Sequence, residues 1–283
     1  MVSGTEIKSK NPLVSILMPS YNAEKYIEEA ITSILNQTFT DFEFIIIDDN
    51  SVDSTISIVE KYKKLDDRIV LLRNTENLKM AKALNVGIKV AKGKFLARMD
   101  ADDWSYPDRI RKQVLYMQKH PEVGILGGSM EIINEKGKKI GRRDYSCTDV
   151  EIRSKVFRYS PFSHPLIMLR KSSLDKVGYY NSLYNPAEDY ELYFRLGEIA
   201  KFANLSDALI KYRIVDKSMT TGSTKKMELQ TIAIRNKYSV GHGYRMSFFD
   251  FLYNRLHWFS IYFVPIPSAI KIRVFNFLRN SRI

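Results

Sequence analysis

The 283-residue chain has a single cysteine, Cys147, and only four histidines. One thiol excludes an intramolecular disulfide and a thiolate zinc cage, and it suits a reducing compartment. Long apolar runs are also missing. The charge-free stretch Leu256–Ile270 has 15 residues and contains His257, Pro265 and Pro267, short of the ~20 apolar residues that a membrane span needs. Met1–Asn11 is polar and lacks an apolar run, so no signal peptide is expected there. With 13 glycines, 9 prolines, 45% hydrophobic and 27% charged residues, the composition excludes a disordered, collagenous or coiled-coil chain. The length fits one large α/β domain, or one domain with a substantial appendage.

Acid is scarce in one region only. The chain carries 44 Lys+Arg against 32 Asp+Glu, a net of +12. Residues 1–200 hold 30 basic and 28 acidic side chains, whereas residues 201–283 hold 14 and 4. The body is therefore electrically balanced and the tail is basic, facing nucleic acid, an anionic membrane or a phosphorylated substrate.

Apolar runs alternate with helix-period segments through the first half. Strands are expected at Leu13–Met18, Phe42–Ile47, Ile69–Leu72 and Phe95–Met99. Helices are expected at Ala23–Asn36, at Ser51–Leu65 with Ser51 as N-cap, and at Met80–Ala91. This alternation predicts right-handed crossovers and a doubly wound, mostly parallel sheet. Further on, a helix at Pro107–His120, strands at Val123–Leu126 and Leu166–Leu169, a Lys136-Gly137 hairpin and a helix at Glu188–Gly197 are expected. In such sheets ligands lie beyond the carboxyl ends of the strands. Three polar sequences fall there: Pro19-Ser20-Tyr21-Asn22, Asp48-Asp49-Asn50-Ser51 and Asp100-Ala101-Asp102-Asp103.

Carboxylates one residue apart at a strand end can share a hard divalent cation with phosphate oxygens. The plainer role for Asp100-Ala101-Asp102-Asp103 is to complement the dipole of the helix that follows. Convergence with the other two strand ends favours the metal. Of Asp48 and Asp49, one is expected to accept hydrogen bonds from a nucleobase or ribose and the other from backbone donors of the next helix.

These motifs, taken in order with Asp53, Asn77, Ala83-Leu84-Asn85-Val86-Gly87, Pro107-Asp108-Arg109, Phe162-Ser163-His164-Pro165 and Glu188-Asp189, resemble family 2 glycosyltransferases, inverting enzymes of the GT-A fold. The resemblance spans roughly residues 12–220. It implies a nucleotide-sugar half over 12–103 and an acceptor half over 104–220, between an N-terminal tail (1–11) and a helical extension (221–283). It implies that Pro19, Tyr21, Asn22, Asp49, Lys79, Asp100 and Ala101 hold the nucleotide sugar, with Tyr21 stacking on the base. Asp102 and Asp100 would bind Mn2+ or Mg2+, with Asp102 the direct ligand. Asp189 would be the general base, with His164 and Glu188 on the acceptor side. Inversion needs one carboxylate to deprotonate the attacking hydroxyl and a cation to steady the leaving diphosphate, unlike the carboxyl pair of a glycosidase. Helix-dipole stabilisation is the alternative role for Glu188-Asp189, and a structural histidine the alternative for His164. Two positions depart from the pattern. Lys79 stands where glycine is common, and Val215 where histidine is common, leaving Arg213 or Lys217 to replace that contact.

Residues Tyr238–Ile283 hold 12 of the 34 aromatic residues and six cations against one acid, Asp250. Ser247–Phe263 and Ser268–Arg279 read as helices apolar over a wide face. An interfacial anchor on anionic lipid is expected, though packing on the catalytic body is the alternative. Together these readings give a metal-dependent transferase using a nucleoside-diphosphate sugar, by default UDP. Its acceptor would be a lipid-linked glycan in cell-surface polysaccharide assembly. The enzyme is expected in the cytoplasm, peripheral on the inner face of the cell membrane, with no nucleic-acid partner. Competing readings are a nucleic-acid binder using the basic aromatic tail and a sugar nucleotidyltransferase. The latter should show a glycine-rich basic loop after the first strand, which Pro19-Ser20-Tyr21-Asn22-Ala23 does not provide.

Overall fold

The computed structural model describes residues 11–215 and 224–263. Its first four apolar runs form β1 (Val14–Ser20), β2 (Phe42–Asp48), β3 (Ile69–Arg73) and β4 (Phe95–Arg98), parallel and in the order β3-β2-β1-β4. Every residue of β1 and β2 is buried, as a strand covered on both faces requires. Odd and even side chains go to opposite faces. Leu17, Ile45, Ile47 and Leu96 pack with α3 (Lys79–Val90) on one side. Ile16, Met18, Phe44 and Ile46 pack with α1 (Ile27–Leu35) and α4 (Arg109–Lys119) on the other. The two cores make the sheet doubly wound. A Cβ on Gly87 would stand 2.9 Å from Ile47 Cδ1, so glycine sets how closely α3 sits on the sheet.

The second half departs from a purely parallel sheet. The remaining strands are β5 (Trp104–Ser105), β6 (Val123–Ile133), β7 (Lys139–Arg143), β8 (Met168–Arg170) and β9 (Lys201–Arg213). The order continues β4-β8-β6-β9-β5, with β8 antiparallel to both neighbours, β6 parallel to β9, and β5 antiparallel to β9. The expected Lys136-Gly137 hairpin joins β6 to antiparallel β7, with Gly137 at φ +77°. So short a link cannot make the crossover of a dozen or more residues that a parallel pair needs.

Helix starts also shift. α2 runs Thr55–Lys63 and Ser51 is not its N-cap: the Ser51 hydroxyl accepts the Asn22 amide at 3.0 Å, while Asp53 Oδ1 receives Thr55 N at 3.0 Å. α1 starts at Ile27 because Ala23 closes a turn with Tyr26 and Ile27. α5 (Asp149–Lys155) carries a capping box of Thr148 and Glu151, and α6 (Lys171–Val177) follows β8. α7 (Glu188–Ile199) leads to β9, followed by α8 (Thr224–Lys237), a hairpin of β10 (Val240–Gly241) and β11 (Tyr244–Arg245), and α9 (Phe248–Phe263). Two tail aromatics expected at a membrane are instead core residues. Tyr238 stacks on Phe194 at 4.7 Å, and Tyr244 donates to the Phe194 carbonyl at 3.1 Å. Residues 268–279, expected as a second tail helix, lie outside the described residues, as does Lys217. No helix among the described residues is long and apolar enough to cross a membrane.

Candidate active site

The carboxyl ends of β1, β2 and β4 bring the three polar sequences to one edge, as the parallel pairing requires. The first two are stapled together. Asn22 Oδ1 accepts Val52 N at 2.9 Å, Ala23 N donates to Thr55 Oγ1 at 2.7 Å, and Glu24 N donates to Asp53 Oδ2 at 3.1 Å. Asn22 thus holds the turn, at φ +49°, with its side-chain oxygen already engaged. Pro19 is buried, whereas Tyr21 is 51% exposed at the strand end, free to offer a ring face.

Asp48 and Asp49 are both buried and both bound to backbone amides. Asp48 Oδ2 accepts Ser51 N at 3.1 Å, and its Oδ1 has no partner. Asp49 accepts Asn74 Nδ2 at 2.8 Å, Leu78 N at 2.9 Å and Lys79 N at 2.9 Å, so it caps α3. An ionised carboxylate has about four lone-pair sites, which leaves Asp49 room for one more donor. Lys79 sits at φ +67° with an exposed side chain. That left-handed backbone is the physical reason a glycine suits this position.

Asp100, Asp102 and Asp103 bring carboxylate oxygens within 4.8 Å of one another. Burial, then the Asp100 charge, pushes the Asp102 carboxyl up to about 6, and burial holds Asp103 well above the usual range. Asp103 Oδ2 is buried without a partner. Clustered hard oxygens, with Asp102 and Asp103 raised by burial and by neighbouring charge and one oxygen orphaned, fit a divalent cation. Ala101, 7% exposed, lies between the ligands.

Buried arginines hold this loop. Arg213 Nε donates to the Asp102 carbonyl at 2.9 Å, its amide donates to Asp103 Oδ1 at 2.9 Å, and its Nη2 reaches Glu29 Oε2 at 2.6 Å. Arg109 is fully buried, donates to the Arg98 carbonyl and to Gln113 Oε1, and is drawn down to about 9 by burial. Arg98 itself pairs with Asp100 Oδ1 at 2.6 Å, while its Nε and Nη1 are buried without partners. Its charge is felt at Glu188, Asp189 and His164. Sequence reasoning assigned no role to Arg98. The signal was present, since a lone cation closes the otherwise apolar run Phe95-Leu96-Ala97 of β4.

A second pair of acids, at the start of α7, lies within the influence of Arg98. Glu188 is 5% exposed, its Oε2 has no partner, and burial followed by the Asp189 charge pushes it up to about 7. Asp189 keeps part of its surface open, accepts Tyr193 OH at 3.3 Å, and is raised by burial. His164 opens a 3-10 turn, shares a 2.8 Å hydrogen bond with Tyr180 OH, and is held well below the usual imidazole range by burial and then by Arg98. It is neutral near pH 7.

A doubly wound sheet with acidic strand ends gathered at one edge has the architecture of a glycosyltransferase of the GT-A fold. The chain belongs to glycosyl transferase family 2, whose family model matches residues 15–178. It is 37% identical over 212 residues to an uncharacterized glycosyltransferase of Haemophilus influenzae, covering 72% of this chain and 66% of that protein. It is 32% identical over 231 residues to the O-antigen biosynthesis glycosyltransferase WbnJ of Escherichia coli, covering 79% and 88%. The chain thus spans about two thirds of the first relative's length and most of the second's. Among solved structures, Staphylococcus aureus TarS (residues 1–349, in complex with UDP-GlcNAc) matches at TM-score 0.67 and 23% identity, covering 80% of this chain and 66% of that one. The mannosyltransferase PcManGT of Pyrobaculum calidifontis, in complex with GDP-Man and Mn2+, matches at TM-score 0.63 and 16% identity, covering 97% and 82%. These likenesses show the shared fold.

Proposed function

We propose that this enzyme transfers a sugar, with inversion, from a nucleoside-diphosphate donor to a hydroxyl of a glycan acceptor in cell-surface polysaccharide assembly. One observation carries the reading: the Asp100, Asp102 and Asp103 cluster and the Glu188-Asp189 pair share a buried arginine, Arg98, that pairs with the first and feels the second. Tyr21 offers the base a stacking face, Asp49 offers its remaining lone pair, and Asp100 and Asp102 face the diphosphate. Lys79, exposed at the start of α3, is offered as a further cation for that charge. A divalent cation, Mn2+ or Mg2+, bound by Asp102 with Asp100 would supply charge neutralisation for the leaving diphosphate.

Asp189 takes the proton of the acceptor hydroxyl. That oxygen forms its bond to the anomeric carbon from the side opposite the diphosphate, and the bond from carbon to diphosphate oxygen breaks with its electron pair. Neutral His164 and Glu188 flank the acceptor side. UDP is the first donor nucleotide to try, since TarS was captured with UDP-GlcNAc, while GDP is the alternative to test beside it. Kinship with an O-antigen enzyme and the basic aromatic stretch 238–283 support a lipid-linked acceptor at the inner face of the cell membrane.

A thermal-shift panel of nucleotide sugars with Mn2+ or Mg2+ identifies the donor, because a ligand stabilises the state it binds. Turnover of that donor is then compared in wild type, Asp189→Ala and Asp102→Ala. Full activity in both variants would overturn the site assignment.

A further inference from the structure

α9 is built inside out. A helix packed on a soluble body turns its apolar stripe inward and its polar face to water. Over Phe248–Phe263 the two buried residues are Asp250 and Asn254, each 4% exposed. Asp250 accepts Arg158 Nε at 2.7 Å, and Asn254 accepts Arg235 Nη1 at 3.2 Å. On the other side stand Phe248 and Phe249, each 74% exposed, with Leu256 at 60% and Phe263 at 61%. Nine of the 20 exposed large apolar side chains among the described residues lie on this one 16-residue helix. Scattered exposure needs no explanation, but a continuous patch marks a contact surface.

The charges around the patch select its occupant. The sole acid of α9, Asp250, is buried and paired, so no carboxylate stands on the exposed face. Arg255 lies over the Phe251 ring at 5.1 Å and Lys225 over Tyr262 at 5.0 Å, setting cations beside the aromatics. Residues 264–283, next in the sequence, add Lys271, Arg273, Arg279 and Arg282 with no acid. A second copy of this chain would oppose like charges across a two-fold contact. An anionic bilayer surface satisfies both the aromatics and the cations.

The polar seam also has a direction. Arg235 is 2% exposed and donates to Asn254 Oδ1, to the Arg158 carbonyl at 2.6 Å and to Tyr190 OH at 3.1 Å. Tyr190 is the residue after Asp189. We infer that α9 docks on an anionic membrane through Phe248, Phe249, Trp258, Phe259 and Phe263, and that its inward polar face ties this surface to the start of α7, on the acceptor side of the cleft. This deepens the reading of a lipid-linked acceptor and rests on it for its purpose, though not for its test.

The chain contains two tryptophans, Trp104 and Trp258. In full-length Trp104→Phe protein, Trp258 reports on α9 alone. Emission is recorded with vesicles of equimolar phosphatidylcholine and phosphatidylglycerol, with and without a lipid-borne quencher, and with phosphatidylcholine alone. The expected result is a blue shift and quenching on the anionic vesicles. Cosedimentation of the triple variant Phe248→Ser, Phe249→Ser, Phe259→Ser should fall at least tenfold, while its melting temperature and its stabilisation by nucleotide stay unchanged. Unaltered Trp258 emission on anionic vesicles, or undiminished cosedimentation of the triple variant, would overturn the proposal. So would a concentration-dependent dimer that the triple variant abolishes, or Trp258 already shielded in the vesicle-free monomer. The first gives the face to a second copy, and the other to residues 264–283. Vesicle binding needs neither donor nor acceptor, so its failure leaves the transferase reading intact.

Discussion

At the scale of single residues the site is a contest between two carboxyl groups for one proton. Glu188 is the more buried and is pushed up to about 7, whereas Asp189 keeps part of its surface open. A base must be able to reach substrate, and the partly open Asp189 meets that condition better than Glu188. Asp189→Asn keeps the Tyr193 contact but cannot take a proton, so turnover should fall by about 10²–10⁴-fold with donor-induced stabilisation retained. Arg98 acts on the same equilibrium, since its charge lowers the pKa of both Glu188 and Asp189. With Arg98→Met both carboxyls bind protons more tightly. The acidic limb of the pH profile of kcat/KM should therefore move to higher pH, a readout that mere loss of packing would not shift. An unmoved limb in a folded variant would remove Arg98 from the electrostatics of the base.

At the scale of elements, the start of α3 shows what a local rule can cost. Lys79 adopts φ +67°, where a side chain is strained by about 1–2 kcal/mol. Lys79→Gly removes that strain but frees the unfolded chain, which costs part of the gain. The net stabilisation should be about 1 kcal/mol in urea unfolding, and the donor KM should rise if the ammonium touches the diphosphate. The same positions show how far the sequence could be read. Strands β1, β2 and β4 were legible because both faces are covered and their apolar runs are unbroken. The acid cluster at the end of β4 was legible because a strand end fixes where side chains meet. Helix starts were not, because Asp53 and Ala23 close turns that periodicity does not register. Nor was the antiparallel β8, whose direction depends on long-range packing. The apolar face of α9 was visible in sequence, but its inward polar face depends on Arg158 and Arg235, which are far away along the chain.

At the scale of the whole molecule, charge is divided by task. The basic surplus lies in residues 201–283, and a cluster of three acids is gathered at one sheet edge. Asp102 rises from 3.8 to about 6 and Glu188 from 4.5 to about 7 on folding, while Asp103 and Asp189 move in the same direction. A carboxyl whose pKa is raised in the folded state binds protons more tightly there. Its stabilising contribution is complete below the unfolded value and is lost as pH rises through the folded one. The window is therefore about pH 4 to 7, and a tenfold difference in proton affinity between the folded and unfolded chain is worth about 1.4 kcal/mol. Together Asp102 and Glu188 set an upper figure of about 6 kcal/mol. Without divalent cations the urea midpoint should fall from pH 5 to pH 8. Saturating Mn2+ should reverse the part due to Asp102 and Asp103, because a cation at about a hundred times its Kd adds about 2.7 kcal/mol. It should leave the Glu188 part, which Glu188→Gln alone would flatten. Asp102→Asn should lose the response to Mn2+ while keeping the Glu188 dependence. If Mn2+ raised the midpoint of Asp102→Asn as much as that of wild type, the cation would be binding elsewhere, and the acidic strand end would be no metal site.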